Sequence, residues 1–396
     1  MASPNEGGTR IPRVISVDIF RGLNVALMIL VNNLAEVKGL PWWTYHRGDV
    51  NGMTYVDMVF PGFLFLMGMS IPLSVDARTS HGHTKLSIFW HIIVRSLGLL
   101  ALGLFIANAP HVDSRSTHIS QSWWTVLGLV AIALAWIRFP GEHQHKLLRR
   151  TLHATGLSMI AVLLMMFRRV TPEGHTAGLD FSYWEILGLL GWAYLLVSTL
   201  YLFLAKRPKL LVTSFVALLC LNVLGCLRVL YRIPHDWNPF EAGLSFLTMS
   251  GVLAYLILVR NSYASTFGQK TRLVLLAVAI LFAAGFALQP LGISKNHDTP
   301  TWCLYSTSAN LLLALLLFWV ADVKGHTTWA KSVIPAGENP LFPYMLAYVP
   351  FLLPQLYVLT SVGTHGSWGV AKSAFLTVLV LAVATLLMRR GLRLRV

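Results

Sequence analysis

Five polar or charged residues that could do chemistry stand close together near the start of the chain, in or beside apolar sequence. They are Asp18, Arg21, Asn32, His46 and Asp57. Ionisable groups within lipid-embedded sequence are costly, and they persist mostly where they pair, line a cavity or take part in function. This part of the chain therefore contains the strongest functional signal in the sequence.

His46 is a candidate general base, because histidine is the side chain best suited to proton transfer near neutral pH. A carboxylate such as that of Asp57 would orient the ring and raise its basicity, and the Asn32 amide could donate to a developing oxyanion. Two plainer interpretations stay open. His46 could be a solvated or capping loop residue, and Asp57 could form a capping box with Thr54, which does not exclude a second role.

Arg21 and Arg95 are candidates for binding phosphate, since the planar guanidinium group matches a phosphate in shape and charge. At the rise of a regular helix they lie about 10 and about 12 Å inside the same membrane face. Lys324 follows a later apolar run on that side. Alternatively, Arg21 pairs with Asp18, three residues earlier, and Arg95 snorkels or caps a helix.

The first apolar run places three of these residues on one helix face. At 100° per residue, Asp18 and Arg21 are neighbours, and Asn32 returns to the same face after eleven residues. This face is polar at both ends and apolar between them. It would suit a long ligand with a charged head.

Composition predicts an all-α polytopic membrane bundle, which we interpret as a single domain over 1–396. The polar residues described above mark its N-terminal block, at about 14–107, as the expected catalytic part. The chain of 396 residues is 55% hydrophobic and 12% charged, far below the charge of a soluble domain, and its mean hydropathy is +0.63. We expect about 12 helices, in the range 10–12. The apolar runs are 14–35, 55–76, 87–107, 120–137, 151–167, 183–204, 209–229, 241–259, 272–293, 301–321, 340–360 and 371–388.

The distribution of basic residues predicts the orientation in the membrane. With both termini in the cytosol, twenty of the 31 Lys and Arg residues fall in cytosolic segments and nine in outer segments, while Arg21 and Arg95 lie inside helices. The positive-inside rule then places His46 on the outer side. Topology and anionic membrane lipid account for the net charge of +15, so no nucleic-acid partner is needed. The first run carries charges and lacks a cleavage site, so we expect a retained helix.

Two short histidine patterns resemble metal-binding spacing but lack further ligands. His81-Gly82-His83 and Glu142-His143-Gln144-His145 both fall in short loops between apolar runs. A protein metal site normally needs three or four ligands. We therefore predict no metal site and interpret both patterns as solvated loops.

Several blocks of the chain resemble the heparan-α-glucosaminide N-acetyltransferase family of multi-spanning acyltransferases, in particular its bacterial branch. The N-terminal block covers about a fifth of the chain, and the rest matches mostly in hydropathy and helix order. The matching segments are Ser16-Val17-Asp18-Ile19-Phe20-Arg21-Gly22, Val31-Asn32, His46, Asn51-Gly52-Met53-Thr54, Asp57-Met58-Val59-Phe60-Pro61, Phe63-Leu64-Phe65-Leu66-Met67-Gly68, Arg95-Ser96, Val320-Ala321-Asp322-Val323-Lys324-Gly325 and Gly337-Glu338-Asn339.

The resemblance implies an integral membrane N-acetyltransferase that uses cytosolic acetyl-CoA as acyl donor. The acetyl group would pass to an amine, of a glycan or other amino sugar, on the outer face of the membrane. It implies catalytic roles for His46, Asn32 and Asp57. The implied donor site is Arg21, Arg95, Lys324 and Asp18, and the implied substrate-site residues are Asn310 and Asn339. The expected location is a bacterial inner membrane, and the sequence leaves open whether the chain forms a homodimer.

Two other functions remain open at this point. A secondary transporter or flippase for an anionic or phosphorylated solute could use the same intramembrane arginines as its substrate site. A catalytically silent relative could bind a lipid or a partner. The His46 loop and the lack of an internal repeat favour the enzyme.

Overall fold

The computed structural model describes residues 14–48, 50–139, 145–182, 184–227, 242–352 and 364–394, and within them helices dominate. Two antiparallel pairs of two-residue strands are the strands of this part of the chain, so the predicted all-α class is confirmed. The strands are β1 (Ile137–Arg138), β2 (Arg169–Val170), β3 (Thr176–Ala177) and β4 (Arg393–Leu394). The helices are α1 (Ile15–Leu34), α2 (Val59–Ser80), α3 (Lys85–Asn108), α4 (Ser114–Thr117), α5 (Gln121–Trp136), α6 (Lys146–Met166), α7 (Glu185–Leu204), α8 (Pro208–Cys226), α9 (Ala242–Leu258), α10 (Phe267–Ala287), α11 (Pro300–Leu317), α12 (Ile334–Glu338), α13 (Leu341–Leu352) and α14 (Gly366–Arg389).

Each predicted apolar run contains one helix, and the two very short helices α4 and α12 fall between runs. Over the described ranges, nine helical segments are long and apolar enough to cross a membrane, and α5 and α9 are shorter apolar helices. The chain is therefore a multi-pass integral membrane protein. Some sequence predictions fall outside the described residues: the ends of the runs at 228–229, 241 and 353–360, the basic residues Arg10, Arg13, Arg228, Arg232 and Arg395, and most of the pattern at Glu142, His143 and Gln144.

Loops that the topology prediction places on one side of the membrane contact each other. On the predicted outer side, the backbone of Lys38 pairs with residues 364–366, and Asp113 N donates to Arg168 O at 2.9 Å. On the predicted cytosolic side, β1 pairs with β4 near the C-terminal end of the described chain. These contacts agree with alternating crossings, whereas the absolute orientation of the bundle stays a prediction.

Small residues let several helices approach at the level of their backbones, as is common where helices pack within membranes. In each of three helix pairs, two glycines lie in the contact, and a side chain added to at least one of them would overlap backbone atoms of the opposing helix or segment. The helices are α2 with α9, α3 with α7, and α1 with the segment around α12. The glycines are Gly68 and Gly251, Gly103 and Gly188, and Gly22 and Gly337, respectively.

The packing of α1 against the segment around α12 decides where the functional residues lie. Added Cβ atoms would overlap the carbonyl oxygen of Val333 at Gly22 and that of Asp18 at Gly337. Residues more than three hundred positions apart in the sequence therefore lie in contact. The same helix also packs against α2, α11 and α14, so α1 is central to the bundle.

Candidate active site

The loop between α1 and α2 is held by its own hydrogen bonds, which fixes the position of His46. The hydroxyl of Tyr45 donates to Val37 O at 2.5 Å, and the hydroxyl of Thr44 donates to Pro41 O at 2.7 Å. The Arg47 guanidinium lies 5.0 Å from the Trp42 ring centroid, a cation–π distance. His46 thus projects from an ordered loop.

His46 and Asp57 form a direct pair. The distance between His46 Nδ1 and Asp57 Oδ1 is 2.8 Å, and the Asp57 side chain is 4% exposed while that of His46 is 42% exposed. An ionised carboxylate only accepts hydrogen bonds, so Nδ1 donates and Nε2 keeps its lone pair. Nε2 of this partly exposed ring can then accept a proton. The predicted orientation of His46 by Asp57 is present in the structure.

Asp57 also caps the helix that it precedes, as the alternative interpretation proposed. Its second oxygen, Oδ2, accepts from Thr54 N at 2.9 Å, and the Thr54 hydroxyl oxygen accepts from Val56 N at 3.3 Å, which completes a capping box. The two interpretations are therefore compatible, because each carboxylate oxygen serves one of them. The cap holds the carboxylate in place for the histidine.

A loop far along the chain closes around this pair. Asn51 Oδ1 accepts from Ile293 N at 2.7 Å, and Gly52 N donates to Ile293 O at 2.9 Å. The indole of Trp302 donates to Asp57 O at 3.1 Å. The Asn51-Gly52 motif thus connects the His46 loop to the loop before α11.

That connection brings in two charged residues that the sequence reasoning did not select, Lys295 and Glu185. Lys295 interacts electrostatically with the carboxylates of both Asp57 and Glu185. Burial lowers the pKa of the Lys295 ammonium, and the two carboxylates partly oppose that shift. Glu185 has a positive φ of 53°, which is rare for a residue other than glycine. Its charge at the start of an apolar run was the available sequence signal.

Asn32 lies on α1 with an exposed side chain, and it has no hydrogen bond to any described residue. Asn33 instead donates to Ile29 O at 2.8 Å. The amide of Asn32 is therefore available to a ligand. No hydrogen bond joins Asn32 to His46, both of which the structure describes, and the oxyanion role of Asn32 stays a prediction.

Arg21, at the other end of α1, uses its donors within the protein. It donates to Ser70 Oγ at 2.7 Å and to Gly337 O at 2.8 Å, and it lies 3.4 Å from Asp18. The alternative of an Arg21–Asp18 pair is present. Arg21 therefore joins α1, α2 and α12, and any contact with a ligand would add to this structural role.

Arg95 differs from Arg21, because the described residues give it no ion pair. Its Nε is buried without a hydrogen-bond partner among them, and its guanidinium lies 4.9 Å from the Tyr194 ring centroid. Arg95 is close enough to Arg21 for the two positive charges to interact. A buried, unsatisfied donor on a cation favours an anionic ligand at this point.

Lys324 lies at the same end of the bundle, just after the π-helical segment Phe318–Val323 that continues α11. Its neighbour Asp322 accepts from the backbone N–H groups of Ile15 at 3.0 Å and Ser16 at 3.1 Å, so it caps the start of α1. The Lys324 side chain itself is exposed, 5.9 Å from the Trp319 ring centroid.

The two predicted substrate-site asparagines are buried and have protein partners. Asn310 donates to Ser306 O at 2.8 Å within α11. In the amide orientation that satisfies both groups, Asn339 donates to Leu394 O at 2.8 Å and accepts from Leu394 N at 2.9 Å. A hydrogen bond within α11 and a pair of hydrogen bonds with the backbone of Leu394 thus account for the two buried amides, and a substrate role stays a prediction.

The arrangement has two chemical ends. At one end a histidine with a free ring nitrogen is backed by a carboxylate, which is the geometry of a general base. At the other end lie arginines able to bind phosphate, with α1 between the two. About 16 Å of helix rise separates Arg21 from Asn32, enough for a long ligand to lie along it.

The chain is similar to two curated proteins named heparan-α-glucosaminide N-acetyltransferase. It is 32% identical to the human protein over 166 residues, which is 41% of this chain and 20% of that protein. It is 40% identical to the mouse protein over 96 residues, which is 24% of this chain and 14% of that protein. The matches thus span a fifth or less of the relatives' length, and the resemblance predicted from the sequence is confirmed over that part.

A family model described as a domain of unknown function, DUF5009, matches residues 13–222. The matched part contains His46, Asp57, Arg21 and Arg95, and it covers more than half of the chain. The chain therefore belongs to the DUF5009 family.

Proposed function

We propose that the protein is a membrane acyltransferase that moves an acetyl group from acetyl-CoA to the amine of an amino sugar. The observation that carries this proposal is the 2.8 Å pair between His46 and Asp57, in which the His46 side chain stays 42% exposed. The arginines at the opposite end of α1 support acetyl-CoA as the acyl donor, because they can bind its phosphates. The names of the similar proteins support the reaction class.

The reaction needs one proton transfer that His46 is placed to make. The amine nitrogen of the acceptor attacks the thioester carbon, and His46 Nε2 accepts the proton that the nitrogen loses. Asp57 keeps the ring in the tautomer with Nε2 unprotonated and stabilises the imidazolium that forms. The carbonyl oxygen gains negative charge, and the Asn32 amide is a donor for it. The tetrahedral intermediate then expels the CoA thiolate.

The donor would enter with its phosphates at the Arg21 end. The buried Nε–H group of Arg95 has no hydrogen-bond partner among the described residues, and Lys324 is exposed at the same end of the bundle. Asp18 holds Arg21 in position. With both termini in the cytosol, as the positive-inside rule predicts, this end faces the compartment where CoA is made, and His46 faces outward. The corresponding location is a bacterial inner membrane.

A test is CoA release by the purified protein, with acetyl-CoA as donor and glucosamine as acceptor. Release that depends on both substrates, together with acetylated glucosamine as product, is expected. His46→Ala should lose it, and unchanged activity in that variant would refute the assignment of the base. An acetylated His46 trapped before acceptor is added would show a covalent intermediate in place of direct transfer.

The same protein in proteoliposomes separates the enzyme from a transporter. Transfer of the acetyl group without uptake of intact CoA is expected. Uptake of an intact phosphorylated solute, with no CoA thiol formed, would favour a transporter, for which Arg95 would be the anion site. Absence of any acetyl-CoA binding would favour a catalytically silent relative.

A further inference from the structure

Two basic residues beyond those at the Arg21 end lie beside Arg95. Arg78 is in the last turn of α2, and His91 is one turn before Arg95 on α3. Arg78 Nη2 lies 2.8 Å from His91 Nε2. Because guanidinium groups only donate, His91 Nε2 accepts this hydrogen bond and the ring is neutral. The histidine therefore holds the Arg78 guanidinium against α3, one turn from Arg95.

The positive charges of Arg78 and Arg95 are not balanced by nearby carboxylates. Within the described part of the chain, neither has a carboxylate at ion-pair distance, whereas Arg21 has Asp18. Asp76, near Arg78 on α2, instead lies 3.4 Å from Arg260. Both unbalanced guanidinium groups act electrostatically on His91, so all three groups share one region.

The hydrogen-bond partners of Asp76 show why it does not neutralise Arg78. Each oxygen of Asp76 accepts from the Tyr201 hydroxyl at 3.1 Å, and Arg260 donates to that hydroxyl at 2.8 Å. The carboxylate is thus turned toward α7 and the segment after α9. Arg78 faces α3, where it donates to the neutral His91.

Two half-buried arginines without carboxylate partners suit an anion of about two charges. A phosphomonoester carries about −1.5 to −2 near neutral pH, and arginine binds its oxygens through paired donors. The phosphates inside a diphosphate bridge carry about one charge each, which suits the Arg21 end, where Asp18 already offsets part of the positive charge.

We propose that Arg78 and Arg95, with His91 positioning Arg78, form a subsite for a phosphomonoester and that it holds the 3′-phosphate of CoA. This assignment rests on the proposed function, which supplies CoA as the donor. Arg21 and Arg95 then face the diphosphate, and Arg95 lies between the two phosphate positions. The subsite distinguishes CoA from dephospho-CoA, which lacks only the 3′-phosphate.

The test compares the Kd of CoA and of dephospho-CoA for the purified protein and its variants. Arg78→Gln should weaken CoA binding by about 10- to 100-fold, the loss expected for one charge-assisted hydrogen bond. Dephospho-CoA binding should stay within about twofold. His91→Ala should show the same selective loss, whereas His91→Gln, whose side-chain oxygen can still accept from Arg78, should retain most of the affinity. Arg150→Gln, an exposed arginine on the same predicted side, is the control.

Equal losses for both ligands in Arg78→Gln would assign Arg78 a structural role and overturn the subsite, as would no loss for either. Nanodiscs with phosphatidic acid or with phosphatidylcholine distinguish nucleotide from lipid. If CoA binds more weakly in phosphatidic acid nanodiscs than in phosphatidylcholine nanodiscs, and dephospho-CoA binds equally in both, the subsite binds a lipid phosphomonoester. That result would overturn the CoA assignment. Selective CoA binding without any acetyl transfer would leave the subsite standing and refute the proposed function.

Discussion

Replacing Asp57 by asparagine tests the central claim about the outer site, that the carboxylate sets the tautomer of His46. The asparagine oxygen can still accept from Thr54 N, now 2.9 Å away, so the cap is retained. The amide NH2 group then faces His46 Nδ1 at the present 2.8 Å contact and donates to it. The ring must carry its proton on Nε2, where the acceptor amine would need a free lone pair.

The expected losses in activity and in stability differ in size. Losing the general base should lower kcat about 10²- to 10⁴-fold, or about 3 to 5 kcal/mol in the barrier. Folding should lose only about 1 to 2 kcal/mol, because two charge-assisted hydrogen bonds become neutral ones and no partner is left unpaired. The KM for acetyl-CoA should stay within about twofold, since the donor phosphates bind far from this substitution.

The assay is CoA release at saturating acetyl-CoA, with thermal unfolding of the same preparation measured in parallel. Asp113→Asn is a matched control, because Asp113 is also a helix N-cap in a predicted outer loop and accepts from Ser116 N at 2.9 Å. It should leave kcat unchanged. A folded Asp57→Asn protein that keeps more than about a tenth of the wild-type kcat would refute the base mechanism.

The remaining predictions concern the other end of the bundle. Arg21→Gln should lower the free energy of unfolding by about 2 to 4 kcal/mol, because it removes the contacts of Arg21 with Ser70 and Gly337. Arg95→Gln should weaken CoA binding and lower the free energy of unfolding by less than about 1 kcal/mol. Equal effects of the two substitutions on thermal unfolding would contradict this distinction. Gly337→Ala should cost about 3 kcal/mol or more, since its Cβ would overlap the backbone of α1, and a normal melting temperature would show that this packing is wrong. Asp322→Ala should cost about 1 kcal/mol through loss of the α1 cap, measured by thermal unfolding with Asp322→Asn as the variant that retains most of it.

Much of the helical architecture could be predicted from the sequence, because each helix must bury its backbone groups and present apolar side chains to lipid. The apolar runs mark the position of each helix, although some ends differ by more than one turn. The short run at 151–167, for example, corresponds to the longer helix α6, Lys146–Met166. The capping box at Thr54 and Asp57 was also predictable, since its partners are three residues apart. Both signals are local in the sequence.

Contacts between distant segments were beyond sequence reasoning. Nothing local to Asp322 or Gly337 indicates that they meet the first helix, and nothing local to Lys295 indicates that it lies near Asp57. Asn339 looked like a pocket residue, whereas the structure shows its amide paired with the backbone of Leu394. These contacts depend on which helix faces which, and hydropathy carries no information about that choice.

The sequence by itself determined the membrane class, the helices and the chemically capable residues, because residue type and local periodicity are sufficient for these. It left each of those residues with two interpretations. Tertiary structure decided which contacts these residues make, since only packing fixes the distance between side chains. Asp57 both caps and orients, Arg21 is largely occupied within the protein, and Arg95 lacks a carboxylate partner among the described residues. Packing also placed Arg78, which the sequence did not single out, against His91.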